Sequence, residues 1–442
     1  MDSNTTVVRL TGELRDARRR TLELVADLDD EQMIGPRLAI VNPLRWEIGH
    51  VAWFQEYWLL RHLSGRSAIL SDGDSLYDSA KIAHDTRWDL PLPSKTDTIA
   101  YMTRVLDEVA ENFLEDGGGN SVDHSVKSAE YFLSLALFHE DMHDEAITYT
   151  RQTLGLPVPV LSNPQTNPTT NREEVEIVGD AFVPRGSFVF GNASGHRFVF
   201  DNEQQACEVE VQSFAISRTA TTNEEFAAFV TDGGYQRREF WSDEGWRWRE
   251  SVDTNHPVYW KFVDREWWRR NFSELVPLEG KLPVLHVNWY EADAYCRWAR
   301  RRLPTEVEWE MAASGVPGDH GIASDRKQRY PWGDDYPTPE QANLDSCNLG
   351  CVDVRALPES DSAFGCRQMI GNAWEWTASD FMPFAGFVPG PYQEYSAPWF
   401  GNHKVLRGGC WATRSRLINN TYRNFYLPDR RDVWAGFRTC AL

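Results

Sequence analysis

Residues 135–146 read LALFHEDMHDEA, and the nature of the N-terminal half turns on them. They contain HExxH, a spacing in which two histidines of one helix hold a metal and a glutamate serves as base in zinc proteases. On a helix, His139 and His143 lie one turn apart on the same face, so both imidazoles can reach one ion. The plain alternative is an exposed face of mixed charge, since Asp144 and Glu145 follow directly. A zinc protease also needs a third ligand on a rigid element further along. Here Gly155-Leu-Pro157 stops the helix, and Glu173 and Glu174 lie in a polar segment, a poor platform for a ligand.

Working outward, apolar residues recur at spacings of three and four in Leu10–Leu28, Leu44–Leu63, Thr98–Phe113 and Ser128–Leu154. Asn42-Pro43 is a start signal for the second segment, with Pro at the first helical position. Four amphipathic helices predict a four-helix bundle over residues 1–157. The connection from Ser64 to Pro93 exceeds the usual loop length, which points to a functional segment. His50 sits in the second helix, within Trp46-Glu-Ile-Gly-His50-Val-Ala-Trp-Phe54. Gly49 beside it costs helix propensity, so a neighbour is expected to approach there closely. Metal sites in bundles are built from inward side chains on facing helices. Three imidazoles, from His50, His139 and His143, suit iron or zinc better than calcium or magnesium and leave coordination positions open.

A chain of 442 residues favours two or three domains. Its net charge of −21 and pI near 5.0 argue against a nucleic-acid partner, which needs a basic face. No apolar run reaches the roughly 18–20 residues that span a bilayer, and the N-terminus lacks the apolar stretch of a signal peptide. The expectation is a cytoplasmic protein with small-molecule substrates. Seven cysteines, an odd count in a long chain, do not make a disulfide framework; Cys347 and Cys351 have C-x3-C spacing but no second pair nearby. Nineteen tryptophans suggest aromatic-walled pockets.

Residues 158–175, rich in Pro, Asn and Thr, read as a linker. Beyond them, over 176–442, short apolar segments alternate with Gly, Asp and Asn turns, and helices are expected only near Thr222–Thr231 and Tyr290–Arg302. The fold class is therefore α+β: a helical bundle followed by a mixed, loop-rich domain.

That second half carries a set of phrases: Thr222-Asn-Glu-Glu-Phe226, Pro283-Val-Leu-His-Val-Asn-Trp-Tyr290, Arg302-Leu-Pro-Thr-Glu-Val-Glu-Trp-Glu310, Tyr330-Pro-Trp-Gly333, Gly371-Asn-Ala-Trp-Glu-Trp376, Val405-Leu-Arg-Gly-Gly-Cys-Trp411 and Gly436-Phe-Arg438. Together they resemble the formylglycine-generating-enzyme fold, a variant of the C-type-lectin fold, and the first half resembles a DinB-type bundle. The pairing is similar to the EgtB-type sulfoxide synthases of ergothioneine biosynthesis and their selenoneine-synthase branch, SenA. The resemblance implies an Fe(II) site on His50, His139 and His143. It also implies O2-dependent joining of sulfur or selenium to the imidazole carbon of hercynine, between the two domains. Tyr392, in Pro391-Tyr392-Gln-Glu-Tyr395, matches the family's phenol beside the oxygen species, and Tyr395 its substrate-side hydroxyl. Arg423-Asn-Phe-Tyr426 near Trp411 matches the segment that holds the trimethylammonium, making Asn424, Phe425, Tyr426 and Trp411 candidate contacts; aromatic faces attract such a cation.

Three departures bear on the chalcogen donor. Family members that use γ-glutamylcysteine carry two arginines where this chain has His84-Asp-Thr-Arg87-Trp-Asp-Leu-Pro91, with Arg87 alone, and an acidic residue where Tyr426 stands. Unpaired charges of such a donor would be costly in a buried pocket. Met142 replaces the usual glutamine before the last histidine, and Cys410 replaces a serine. Cys410 and Cys440 do not match the copper-binding pair of formylglycine-generating enzymes. The resemblance with these departures favours a neutral selenosugar donor, with His84, Asp85, Arg87, Trp88 and Met142 as candidate contacts and cysteine or γ-glutamylcysteine as the alternative. A zinc metalloprotease and a noncatalytic lectin-like binding module are the readings from other classes.

Overall fold

Four long helices carry the N-terminal half: α1 (Ser3–Val25), α2 (Leu44–Gln55), α3 (Lys95–Ala110) and α4 (Val126–Leu154). The computed structural model describes residues 3–115, 126–162, 177–192 and 198–442. The predicted linker falls largely on 163–176, outside the described residues. Contact clustering divides the chain into two compact units, one built from the helical half and one from the C-terminal half. Phe198, within 176–442, belongs to the first unit and packs on Tyr131 and Phe138 of α4.

The helical unit follows its apolar periodicity. Leu10, Leu14, Ala17 and Leu24 on α1, and Leu133, Ala136, Leu137 and Ile147 on α4, are buried. Each fully buried leucine contributes roughly 1.5–3 kcal/mol relative to an exposed one. Pro43 caps α2 rather than opening its first turn. The second predicted helix is one apolar run with two hydrogen-bond patterns, since α2 passes into a π-helical stretch at Glu56–His62; periodicity alone does not separate the two. Gly155 ends α4 with φ +66°, the left-handed conformation that glycine adopts without penalty. The long connection holds a short helix, Gly73–Tyr77, and a 3-10 turn, His84–Asp89.

The C-terminal unit contains a four-stranded sheet in the order Asp180–Val183, Phe214–Ser217, Cys440–Ala441, Arg301–Arg302, and a second in the order Asn424–Tyr426, Lys404–Arg407, Trp374–Asp380, Ala435–Gly436. A three-stranded meander spans Trp260–Val263, Glu266–Asn271 and Glu274–Pro277. The two expected helices are α5 (Asn223–Thr231) and α7 (Trp289–Trp298), and two more were not expected: α6 (Asp243–Ser251) and α8 (Glu306–Ser314). The sequence of α6, DEGWRWRES, has no apolar stripe, whereas α8 carries a capping box, Thr305 with Glu308, that does signal a helix start.

The phrases that carry the resemblance meet in a buried ion-pair network. Arg407 pairs with Glu306 (3.0 Å) and with Glu310, Arg423 pairs with Glu306 (2.7 Å), and Arg438 pairs with Glu375 (2.6 Å), which also accepts from the Trp309 indole. All of these side chains are buried. Removing one partner of such a pair costs about 3–5 kcal/mol, so these motif residues hold the fold together. The seven cysteines are all free thiols. No helix among the described residues is long and apolar enough to cross a membrane.

Candidate metal centre and an aromatic tyrosine cluster

His50 on α2 meets His139 and His143 on α4, with one nitrogen of each ring within 4.8 Å of the others. His143 Nε2 and His139 Nε2 are 3.3 Å apart. The far nitrogens of two rings are already committed. His50 Nδ1 faces the Tyr77 carbonyl at 2.8 Å, and His143 Nδ1 faces Glu47 Oε1 at 2.5 Å. A carbonyl and a carboxylate only accept, so each Nδ1 carries a hydrogen, which in the neutral ring leaves Nε2 as the nitrogen free to bind a metal. Trp46 stacks on His50 (4.8 Å, 8°) and Phe54 on His139 (3.6 Å, 5°), which fixes the ring planes. Burial, with His143 nearby, pushes the His50 pKa down to about 3 and that of His139 well below the usual range, so both rings stay neutral at physiological pH.

Three imidazoles converging from two helices, two of them with a hydrogen held on the far side, fit a divalent transition metal. Glu47 is buried, and its interactions with His143, Asn42 and His50 outweigh the opposing effect of burial and hold its carboxyl below the ordinary range. It therefore supplies a negative charge behind a candidate ligand, as carboxylates behind metal-bound histidines do. The signal for it was present: Glu47 precedes His50 by three residues and is the one acidic residue of Leu44–Gln55.

Gly49 is explained by Tyr77. A Cβ at residue 49 would lie 2.3 Å from the Tyr77 ring, so the close approach expected from the sequence is there. It is also what lets the Tyr77 carbonyl reach His50. Glu140, the base of the protease reading, points elsewhere. It is fully buried and bonded to Arg18 Nε (2.7 Å), Gln55 Nε2 (2.5 Å) and Thr21 Oγ1 (2.7 Å). A residue one step from His139 is rotated about 100° around the helix, whereas His143 returns to the His139 face. Glu140 is thus a structural anchor between α4 and α1, and the protease reading loses its base.

The 3-10 turn scatters its four candidates. Arg87 enters the interior, donating to Asn42 Oδ1 (2.6 Å) and stacking 3.8 Å over Trp46, whose other neighbour is His50. Asn42 in turn donates to Glu47 Oε2 (2.7 Å). His84 is held at the Val41 carbonyl (2.8 Å) and packs edge-on against Trp88 (5.5 Å), while Asp85 is exposed. Met142 is half-buried on α4 between His139 and His143.

In the C-terminal unit, Tyr395 is the centre of an aromatic cluster. It stacks on Phe200 (4.5 Å), meets Phe425 edge-on (5.9 Å), lies 6.2 Å from Tyr392, and its hydroxyl is 3.4 Å from that of Tyr422. Burial raises the Tyr395 pKa well above 10, with Tyr422 adding to the effect, so the phenol stays protonated. Glu203 beside Thr421 is pushed by burial up to about 7. Asp201 ties the tyrosine loop by accepting from Gly390 N (3.1 Å) and Ser396 Oγ (2.5 Å). Phe200, Asp201, Glu203 and Tyr422 carry no local sequence signal, since they come together only through the fold.

The four trimethylammonium candidates do not form one wall. Residues 424–426 are a strand paired with Lys404–Leu406, so Phe425 faces one way, toward Phe381 (4.0 Å) and Tyr395, and Asn424 and Tyr426 face the other, with Tyr426 under Arg430. Trp411 is fully buried and packs on Trp434 (4.9 Å).

Comparison with known proteins follows the same division. Residues 164–441 match the sulfatase-modifying factor enzyme 1-like domain, and residues 13–147 match the DinB superfamily. Fold and site thus define a class: a DinB-type helical unit with a three-histidine centre, joined to a sulfatase-modifying-factor-like domain. The chain is 36% identical to the hercynine oxygenase of Mycolicibacterium thermoresistibile, over 97% of this chain and 94% of that protein. It is 35% identical to the hercynine oxygenase of Mycobacterium tuberculosis, over 97% and 98%. The chain belongs to the hercynine oxygenase, or EgtB-type, family. Among solved structures, PvdO from Pseudomonas aeruginosa is similar at 20% identity and a TM-score of 0.40, covering 59% of this chain and 92% of that one.

Proposed function

We propose that the chain is an Fe(II)- and O2-dependent synthase that joins a chalcogen donor to the imidazole carbon of hercynine. The observation that carries this reading is the convergence of His50, His139 and His143 in a chain that aligns end to end with proteins named hercynine oxygenases. Those three imidazoles would hold the metal. Iron(II), when bound, supplies a centre that reacts with oxygen and binds a soft chalcogen.

The remaining roles belong to this chain's side chains. Glu47 and the Tyr77 carbonyl keep the protons of His143 and His50 on the outer nitrogens. Tyr392 donates a proton to the reacting oxygen, and Tyr395, held protonated, donates a hydrogen bond to substrate. The trimethylammonium of hercynine offers no donor and is held by ring faces; Phe425, on the same face as Tyr395, is the candidate, since Asn424, Tyr426 and Trp411 lie elsewhere. Replacing Tyr392 by Phe slows product formation or diverts oxygen toward oxidation of the donor; wild-type kinetics and products would remove it from this role.

For the donor, we favour a neutral selenosugar, giving a C–Se bond. Two observations support it: Arg87 stands without the second arginine and is engaged by Asn42 and Trp46, and Tyr426 stands where a charged donor's amine needs a carboxylate. Of the candidate contacts, Met142 lies on the helix of the two paired histidines, whereas Arg87 acts through Asn42 and Trp46, and His84, Asp85 and Trp88 are turned apart. A thiol donor, cysteine or γ-glutamylcysteine, is the second reading, favoured by the identity to the mycobacterial relatives, whose names specify no donor. The test supplies hercynine, Fe(II) and air with a selenosugar, cysteine or γ-glutamylcysteine in turn, and identifies products by mass. A selenium-bearing hercynine is expected. Product from the thiols alone makes the chain a sulfoxide synthase, and no product from any donor overturns the reading.

A further inference from the structure

The Tyr395 cluster rests on two turns that are distant in the chain. One is the buried 3-10 turn Asp201–Glu203, preceded by Phe200, which stacks on Tyr395. The other runs from Asn419 to Tyr422, whose hydroxyl is 3.4 Å from that of Tyr395. Asn419 closes this second turn: its carbonyl accepts from Tyr422 N, and its side-chain oxygen accepts from Thr421 N (2.8 Å).

A row of three oxygens links the turns. Glu203 Oε2 lies 2.8 Å from Thr421 Oγ1, which lies 2.7 Å from Asn419 Oδ1. Two such contacts need two hydrogens, and a threonine hydroxyl supplies one. The Asn419 amide does not supply the other by turning over, because its oxygen is fixed by the Thr421 N–H. The second hydrogen therefore sits on Glu203. As a carboxylic acid, Glu203 donates to Thr421, and Thr421 donates to Asn419. As a carboxylate it would leave one of the two contacts with no hydrogen between its oxygens.

The surroundings favour the acid. Glu203 is 2% exposed, and burial penalises its charged form. Arg407 and Arg423 act in the opposite direction, but both are committed: Arg407 to Glu306 and Glu310, and Arg423 to Glu306. Glu310, which also pairs with Lys327, repels a charge on Glu203. Asp201 on the same turn is a further carboxylate. Burial outweighs the two guanidiniums, and the Glu203 carboxyl is pushed up to about 7.

We infer that Glu203 is a positioning residue for the tyrosine pair, a neutral acid whose proton ties the Phe200 turn to the Tyr422 turn. Loss of that proton breaks the tie. It also places a negative charge near Tyr395, whose hydroxyl then becomes a poorer donor. The place of the proton follows from the oxygens alone, whereas its bearing on substrate rests on the synthase reading, in which Tyr395 donates to substrate.

Infrared difference spectroscopy of the full-length protein locates the proton. At about pH 6 the wild type carries a protonated-carboxyl band that Glu203→Gln lacks, and the band fades by about pH 8.5. In urea, the wild type loses stability relative to Glu203→Gln as pH rises from about 4.5 to about 7, because the folded acid keeps a proton that the unfolded one releases. Hercynine is then titrated calorimetrically without oxygen. Between about pH 6 and about 8.5 its affinity falls about two- to tenfold more for the wild type than for Glu203→Gln, the contribution of one hydrogen bond. If Glu203→Gln does not fold by circular dichroism, Thr421→Val removes the acceptor oxygen and shifts the band instead. A band unchanged by either substitution, or urea limbs that run parallel, overturns the neutral acid. Equal losses of hercynine affinity overturn the positioning role. Hercynine binding to neither protein counts against the substrate reading alone, and the band and the urea limbs decide Glu203 either way.

Discussion

Glu47 Oε1 lies 2.5 Å from His143 Nδ1, and the other oxygen of the same carboxylate accepts from Asn42, which itself accepts from Arg87. One side chain thus joins the 3-10 turn of the long connection to a metal-ligand candidate on α4. This gives the connection a physical role, since Arg87 also packs on the Trp46 ring that covers His50.

Glu47→Gln keeps the volume but removes the charge behind His143 and allows the amide N–H to face the ring. Metal affinity is expected to fall by about 10–100-fold, the usual loss when such a partner is changed. Titration with Co(II), followed by its visible absorbance, reads this without turnover. An affinity within twofold of wild type would mean that Glu47 does not orient the ligand.

Gly49→Ala gains helix propensity of up to about 1 kcal/mol but drives a methyl into the Tyr77 ring. Overpacking of this kind costs about 1–3 kcal/mol, so a net loss is expected, seen as a lower urea midpoint. Pairing it with Tyr77→Leu should restore part of the loss, because contacting residues are not additive. A stable Gly49→Ala single variant would show that Tyr77 is not packed against α2 in this way.

Glu140→Gln leaves Arg18 buried without its carboxylate. The expected result is destabilisation by about 3–5 kcal/mol in denaturant unfolding. A zinc protease would instead lose peptide hydrolysis at nearly unchanged stability, and that pattern would restore the protease reading.

His286 is kept neutral by burial, with Arg269 and Arg270 adding to the effect, so its pKa lies at about 3. Its folded pKa is below the unfolded value near 6.5, so its contribution to stability is complete above about pH 6.5 and is lost as pH falls toward 3. The slope attributable to this one group is at most about 1.4 kcal/mol per pH unit. His286→Asn, which tolerates the left-handed backbone, should flatten the acid limb of stability against pH. An identical limb in both proteins would contradict a neutral buried imidazole at this position.

The sequence was most informative where one physical constraint dominated. The periodicity of α1 to α4 marked the helices because each has one buried stripe, and Gly49 marked a close approach because a helix interior has little other use for glycine. His139 and His143 followed from the helix period alone, whereas His50 needed the bundle as context. Glu47, Tyr77 and Asn42 were missed because their partners are 96, 27 and 45 residues away in the chain. The Tyr395 cluster was half legible: Tyr392 and Tyr395 came from a phrase, but Phe200 and Tyr422 reach them only through long-range packing. The strand at 424–426 shows the opposite case, in which a contiguous phrase divides its side chains between two faces.

Metal loading of anaerobically purified protein tests the central claim most directly. Wild-type protein should take up iron(II) stoichiometrically, and His50→Ala, His139→Ala and His143→Ala should each lose it while keeping the helical circular dichroism of the parent. Full loading in His50→Ala would contradict a centre built from α2 and α4 together.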